Sequence, residues 1–580
     1  MQIQGMLNST KDICDIDEMY YNGDDFFVED NSLVIKKNGY IATDTYFNSL
    51  SIRKWKKYSF ADSFGVELDV KGKCKIYICF AWIDDKNIIR RWGDNTPCYE
   101  KTTSKREHLT FEYPDHDKAV IAYFMVQALE TDVYLHSFNY FTTKNVSPEK
   151  TSLAIGICTY RREEYVLKNL QKLKNDCLEK NKIEVIIADN GQTLENNFDE
   201  ETIHLYKNRN YGGSGGFTRC MLEAKKTNKY THILLMDDDI LLDSEAVLRT
   251  YTLISLLKPE YRNSIIGGGM LVLSDKQMQF ESGALYYHGN LSFTQKNANM
   301  TTIRNVIQNE RERDVNYNAW CYCAIPVSVI NDNNLPLPIF IHMDDVEYGV
   351  RSKLPIITMN GISVWHPFFS NQRSSHIVYY DVRNKLIVMA EFGGVDIRDY
   401  AKKYLDIFYK SIFNYDYYRT IMACRGIEDF CKGIDYLKKL DPIELNNELV
   451  KGNKKWLEAD ESIRKNVKKT SRVIVSKKEL LKTYLLPGKK KQVIYDCTIS
   501  DANPDGADEM LIYNPVSDKY CVYKKNFFKM LEAKLACKKA MKLIEKNICD
   551  VGFEWRDRLH EITNVEFWNE YLGLENSNEK

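Results

Sequence analysis

"THILLMDDD" (residues 231–239) decides how the middle of this chain is to be read. The apolar run Ile233–Met236 has the length of a buried strand, and three aspartates follow it at once. Like charges side by side raise one another's pKa and weaken a fold unless something positive sits among them. If the chain stays extended, Asp237 and Asp239 point one way and Asp238 the other. Two carboxylates on one side of a strand end suit a hard divalent ion such as Mg2+ or Mn2+. A solvated acidic turn competes with that reading, since Asp is common in loops.

Upstream, "LAIGICTY" (153–160) and "IEVIIADN" (183–190) are apolar runs of the same kind, with helical segments between, the first from Glu163 to Leu178. Strand–helix alternation predicts parallel strands joined by crossover helices. Ligands of such sheets gather at the carboxyl ends of the strands, where Thr159, Asp189 and Asp237–Asp239 stand. "NRNYGGSGGFTRCM" (208–221) places four glycines before a helix-like segment. Glycines admit close backbone approach, and a helix N-terminus attracts anions. The stretch is neither a phosphate-binding Gly-Lys-Ser/Thr loop nor a dinucleotide fingerprint, because residue 218 is Thr218. A tight turn before a helix is the competing reading.

About a hundred residues on, "IFIHMDDVEYGVR" (339–351) brings a second acidic cluster, Asp344, Asp345 and Glu347. An ionised Asp there can accept a proton from a hydroxyl, or the acids can cap a helix. "SVWHPFFS" (363–370) holds His366, either a ligand or a satisfied core histidine. "YYDVRN" (379–384) adds Arg383, a cation able to meet a phosphate or one of the aspartates.

The flanks differ from this centre. In "VELDVKGKCKIYICFAW", Val66, Leu68 and Val70 alternate, then Cys74, Ile76, Ile78, Phe80 and Trp82, which predicts short strands in a sandwich. Beyond about residue 395 helical patterns dominate, and "FFKMLEAKLACKKAMKLIEKN" (527–547) is an amphipathic helix with a basic face. The expected fold is multidomain α/β: a β-sandwich over 1–147, a Rossmann-like domain over 148–395 and an α-helical domain over 396–580. The 80 basic and 81 acidic residues give a net charge of −1, so nothing argues for nucleic acid. No apolar leader stretch and no apolar run of membrane-spanning length occurs, which predicts a cytoplasmic chain. The 15 cysteines show no framework, and Cys321 and Cys323 of "CYC" read as core thiols.

Taken together, "TYRR", "NRNYGGSGGFTR", "MDDD", "HMDDVEYGVR" and "WHPFF" resemble the family-2 glycosyltransferases of the GT-A fold, and more closely the galactan-polymerising galactofuranosyltransferases. The resemblance spans about residues 150 to 395. It implies that Asp237 and Asp239 hold a divalent metal, Mn2+ or Mg2+, on a UDP-sugar, with His366 as a further ligand. It implies Asp345, beside Asp344, as catalytic base. Thr159, Arg161 and Asp189 would lie near the uridine, and Asn210 and Gly213 would line the nucleotide pocket, with Asp238 on the same donor side. The implied partners are UDP-galactofuranose and a lipid-linked glycan acceptor, with peripheral contact at the inner face of a membrane and self-association compatible with both. One departure is "AWCYC", where Trp320 is followed by Cys321 and a tryptophan pair of the subgroup is absent. The rivals are a rhamnosyltransferase on the same fold, a two-metal nucleotidyltransferase, and an inactive scaffold carrying a glycan-binding front.

Overall fold

The computed structural model describes residues 1–29, 32–101, 105–143, 148–178, 183–195, 197–198, 201–367, 374–468, 484, 490–497, 504 and 506–574. The boundary expected at 147, Phe368 and Phe369 of "WHPFF", and most of the loop expected at 486–492 lie outside these residues.

The architecture is α/β. Ten strands between Gln2 and Thr142 pair into one antiparallel sheet. Their inward residues, among them Val66, Leu68, Val70, Ile76 and Phe80, are fully buried, as their alternation predicts. The central sheet begins with four parallel strands in the order Ile203–Lys207, Ile183–Asp189, Leu153–Thr159, His232–Asp237. Tyr322–Pro326 then joins antiparallel, followed by Ile265–Val272, beside which Ile356–His366 runs parallel. Strand order therefore runs outward in both directions from Leu153–Thr159, and a crevice opens at the carboxyl ends around it. Register sets Thr159 beside Asp189 and Cys158 beside Asp237, so the acids share one level.

The front and centre share one apolar core. Phe47 of the front packs on Trp365 with ring centroids 5.4 Å apart. Buried Arg249 bonds the Phe47 carbonyl at 2.8 Å and the Gly5 carbonyl at 3.0 Å. Buried Lys54 pairs with Glu310 at 3.6 Å. Removing one member of a buried pair costs about 3–5 kcal/mol, because the other is left charged and alone.

The last third is built on helices, with Ile377–Phe392, Ile397–Tyr409, Tyr417–Phe430 and Phe527–Arg558 around a second core. It also holds a four-stranded sheet that the helical expectation omits, made of Leu457–Glu458, Lys519–Lys524, Ala507–Asn514 and Lys490–Asp496. The final helix, Val565–Leu572, returns to the centre, where the indole of fully buried Trp568 donates to the Pro336 carbonyl at 2.9 Å.

Candidate functional site

The strand His232–Asp237 ends at its first aspartate, and Asp238 and Asp239 make a turn. The turn sends the three carboxylates two ways. Asp238 is buried, accepting from Thr159 Oγ1 at 2.8 Å and from Arg162 Nη1 at 2.8 Å. Burial pushes its pKa up, and Arg162 and Thr159 pull it back. Asp237 and Asp239 face the crevice with His366, and one ligand atom from each of the three lies within 4.8 Å of the others. His366 Nε2 stands 3.4 Å from Asp237 and 3.5 Å from Asp239. Its Nδ1 donates to the Pro367 carbonyl at 2.7 Å, which fixes the ring with Nε2 turned toward the two carboxylates. Burial works against a charge on His366, but Asp237, Asp239 and the Pro367 carbonyl outweigh it and raise its pKa.

Two carboxylates this close repel by roughly 3–4 kcal/mol at an effective dielectric near 20. Arg162 offsets part of that, reaching Asp239 Oδ2 at 2.7 Å as well as Asp238. Among the described residues, the ion-pair partner of Asp237 is His366. Two hard oxygens and one imidazole converging on a partly open point fit a divalent ion.

The sequence reading singled out Arg161; the geometry brings in its neighbour. Arg161 adopts φ 56°, and its guanidinium lies 5.2 Å from the centre of the Tyr160 ring. Asp189 stands at the same level, but Gly191 N and Leu194 N donate to its two oxygens at 2.9 and 2.8 Å, so it shapes the following loop. Asn210 Oδ1 accepts from Gly212 N at 3.1 Å. The glycine helix, Gly212–Lys226, is glycine-rich partly for packing. A Cβ on Gly216 would overlap the Cys158 thiol, and one on Gly215 would overlap Tyr211. Gly213 is different: its missing Cβ would meet only Asp344 Oδ2, at 3.4 Å, which joins the glycine helix to the second acid cluster.

That cluster opens the helix Asp344–Ser352. Asp344 and Asp345 are half-buried, and Asp345 Oδ1 accepts from Val346 N at 2.7 Å. Burial raises both pKa values; repulsion by Asp345 adds to it at Asp344, and repulsion by Asp237 adds to it at Asp345. The loop before them carries three non-glycine residues in the left-handed region, Phe340 (φ 75°), His342 (φ 64°) and Met343 (φ 71°). Such backbone persists only where surroundings dictate it. Here the Asn384 amide reaches the carbonyls of Ile339, Ile341 and His342 at 3.1, 2.7 and 3.0 Å, and Arg383 donates to Ile339 at 2.8 Å. Arg383 is thus committed to the loop and to Tyr379, and does not face the aspartates. Glu347 is fully buried against Arg351, away from the crevice.

The sequence gives no sign of one further acid. Glu281 ends the strand Asp275–Glu281, where Tyr317 bonds it and its Oε2 is buried without a partner. Burial, then repulsion by Asp345, pushes its pKa up to about 8. It therefore holds a proton at neutral pH beside the second cluster. Trp320 is core, packed between Phe217 and Tyr348, and Cys321 and Cys323 are buried thiols.

A strand-end acid pair, an imidazole and a second acid group across a crevice describe a group-transfer site, and comparison with known proteins gives the class. Residues 154–260 match the family model "Glycosyl transferase family 2", so the chain carries a family-2 glycosyltransferase domain. It is a glycosyltransferase that resembles galactofuranosyltransferase GlfT2. The GlfT2 of Mycobacterium tuberculosis (strain ATCC 25618 / H37Rv) is 25% identical over 436 residues, covering 70% of this chain and 67% of the relative. That of Mycolicibacterium smegmatis (strain ATCC 700084 / mc(2)155) is 24% identical over 440 residues, covering 70% and 66%. The chain thus spans about two thirds of each relative's length. Among solved structures, TarS of S. aureus aligns over 52% of both chains at 12% identity, with a TM-score of 0.32, too low to decide anything here.

Proposed function

We propose that the protein is an inverting, metal-dependent glycosyltransferase that transfers galactofuranose from UDP-galactofuranose to a growing, lipid-linked cell-surface glycan. The observation that carries this reading is the convergence of Asp237, Asp239 and His366, with Asp345 near enough to Asp237 for the two to repel. The similarity to GlfT2 supports the sugar. In this reading residues 148–395 form the GT-A catalytic domain, the front strands fold as a sandwich and the last third is an accessory region.

Asp237, Asp239 and His366 would hold Mn2+ or Mg2+, which when bound supplies positive charge for the leaving diphosphate. Thr159, Arg161, Asp189, Asn210, Gly213 and Asp238 form or shape the donor side. Arg162 keeps Asp238 and Asp239 in place. Asp345 accepts the proton of the acceptor hydroxyl as that oxygen attacks the anomeric carbon. The bond from that carbon to the diphosphate oxygen breaks on the opposite face, UDP departs, and the configuration inverts in a single displacement. Asp344 orients its neighbour and faces the glycine helix. Protonated Glu281 donates or accepts a hydrogen bond without adding charge.

The test is purified protein with Mn2+ and a panel of nucleotide sugars, scoring released nucleotide with and without a lipid-linked acceptor. UDP release from UDP-galactofuranose, stimulated by acceptor, is expected. Turnover of dTDP-rhamnose instead would install the rhamnosyltransferase reading, which the sequence "YYDVRN" favours. Pyrophosphate release would overturn both.

A further inference from the structure

The small C-terminal sheet is an excursion between two helices, with Tyr417–Phe430 before it and Phe527–Arg558 after it. The two helices begin side by side, where Asn526 N donates to Tyr417 Oη at 3.0 Å. About two turns into the first and about three into the second, they meet at a pair of thiols. Cys424 Sγ lies 3.6 Å from Cys537 Sγ, with the Cys424 thiol as donor. That is van der Waals contact for two sulfurs, between residues 113 apart in the sequence.

The two thiols are not equivalent. Cys424 is 1% exposed, whereas Cys537 is 8% exposed and so lies nearer the surface. The hydrogen bond from Cys424 lowers the pKa of Cys537 against the pull of burial. The same bond, and then burial, raises that of Cys424. A thiol at the rim that ionises more readily, backed by a buried one in contact with it, is the arrangement of an attacking and a resolving cysteine.

We propose that Cys424 and Cys537 form a reversible disulfide by exchange with a low-molecular-weight disulfide such as oxidised glutathione. The Cys537 thiolate attacks one sulfur of the small disulfide, whose S–S bond breaks to release one thiolate. Cys424 then loses its proton and attacks the Cys537 sulfur, releasing the second thiolate. The protein thiols give up two electrons, and their two protons end on the two small thiols formed. The bond closes the neck of the excursion, because Leu457–Glu458, Lys490–Asp496, Ala507–Asn514 and Lys519–Lys524 all lie between the joined residues. Under reducing conditions the neck rests on packing and on the Tyr417 hydrogen bond; under oxidising conditions it is pinned covalently. A cross-link over so long a span removes much freedom from the unfolded chain. The proposal is independent of the sugar transferred and of the metal.

The test uses the full chain, first reduced and then placed in glutathione buffers of increasing oxidation. Free thiols are blocked with N-ethylmaleimide and peptides are mapped by mass spectrometry with and without reductant. A peptide pair joined through Cys424 and Cys537 is expected, and dithiothreitol should separate it, while exposed Cys98 serves as the unpaired control. Trypsin fragments cut between the two residues should stay together on a gel without reductant and part with it. Oxidation should raise the melting temperature by about 5 °C. Cys424→Ser should stop the exchange with one glutathionyl group on Cys537, Cys537→Ser should leave Cys424 unmodified, and neither should show the melting shift. Recovery of both thiols blocked and unjoined in the unmodified protein overturns the proposal, and so does their joining to Cys431 or Cys549 instead. That readout needs no variant to fold. Glutathionylation of Cys424 in Cys537→Ser as complete as that of Cys537 in Cys424→Ser overturns the order of attack and the exchange built on it.

Discussion

Asp237–Asp239 and Asp344–Asp345 are both runs of adjacent aspartates beside one crevice, and the protein treats their charge in opposite ways. The first run is surrounded by positive or protonable groups: Arg162 touches two of its carboxylates and His366 lies within 3.5 Å of two. The second is raised in pKa by burial, and the His342 imidazole beside it is tied to Asp381 at 2.8 Å. One cluster is arranged to keep negative charge and share it with a cation. The other is arranged to gain and lose a proton. Repeated acids in a sequence therefore do not carry one meaning, and it is the neighbours that separate the roles.

The contrast is broken most sharply at Asp345. Asp345→Asn should lower transfer by ~10²–10⁴-fold while UDP affinity with Mn2+ persists. Single-turnover rates and calorimetry decide it; loss of UDP binding would merge the two clusters into one donor site. Asp239→Ala should do the reverse, cutting metal-dependent UDP affinity by about 100-fold, a size typical of a damaged metal shell. Unchanged affinity in calorimetry would dissolve the assignment of the first cluster. Asn384→Ala sharpens the comparison from behind the second cluster. It orphans carbonyls of the strained loop and should slow transfer by about tenfold, at a stability cost of about 1–3 kcal/mol. UDP affinity should hold, and equal damage to UDP binding would show that the loop serves the donor side.

The smallest effect concerns Glu281 and pH. Its folded pKa, about 8, lies above the ordinary 4.5, so between those values the folded protein binds a proton that the unfolded chain lacks. The stability this group contributes is complete below about pH 4.5 and is lost as pH climbs toward 8, at about 1.4 kcal/mol per pH unit as an upper bound. Glu281→Gln should therefore match the parent near pH 4 and become the more stable protein near pH 8. Parallel melting curves across the range would contradict a buried, protonated Glu281.

Much of this site was legible because chemistry and position coincide at strand ends. Asp237, Asp239 and His366 are polar residues that terminate apolar runs, and a parallel sheet aligns such ends. Arg162 was not, because the choice between adjacent arginines rests on a backbone turn: Arg161 takes φ 56° and sends the next side chain inward. Arg383 looked like a free cation because "YYDVRN" does not show that Tyr379 and Arg383 fall on one buried helix face. Glu281 left no trace, since its neighbours in space, Tyr317 and Asp345, come from distant segments. The small C-terminal sheet was overlooked because Met510, Leu511 and Ile512 are buried in succession, Met510 and Ile512 in one apolar cluster and Leu511 in another, so the strand shows no apolar–polar alternation.

The return of Trp568 to the Pro336 carbonyl has a consequence for the order in which the protein is made. These partners lie 232 residues apart. At common translation speeds that gap takes roughly 10–50 s to synthesise. For that interval the glycine helix and the acid loop exist on the nascent chain without the indole that packs beneath them. The candidate site is laid down early and sealed late, so an interrupted chain would carry Asp237, Asp239, Asp344 and Asp345 around an unfinished floor.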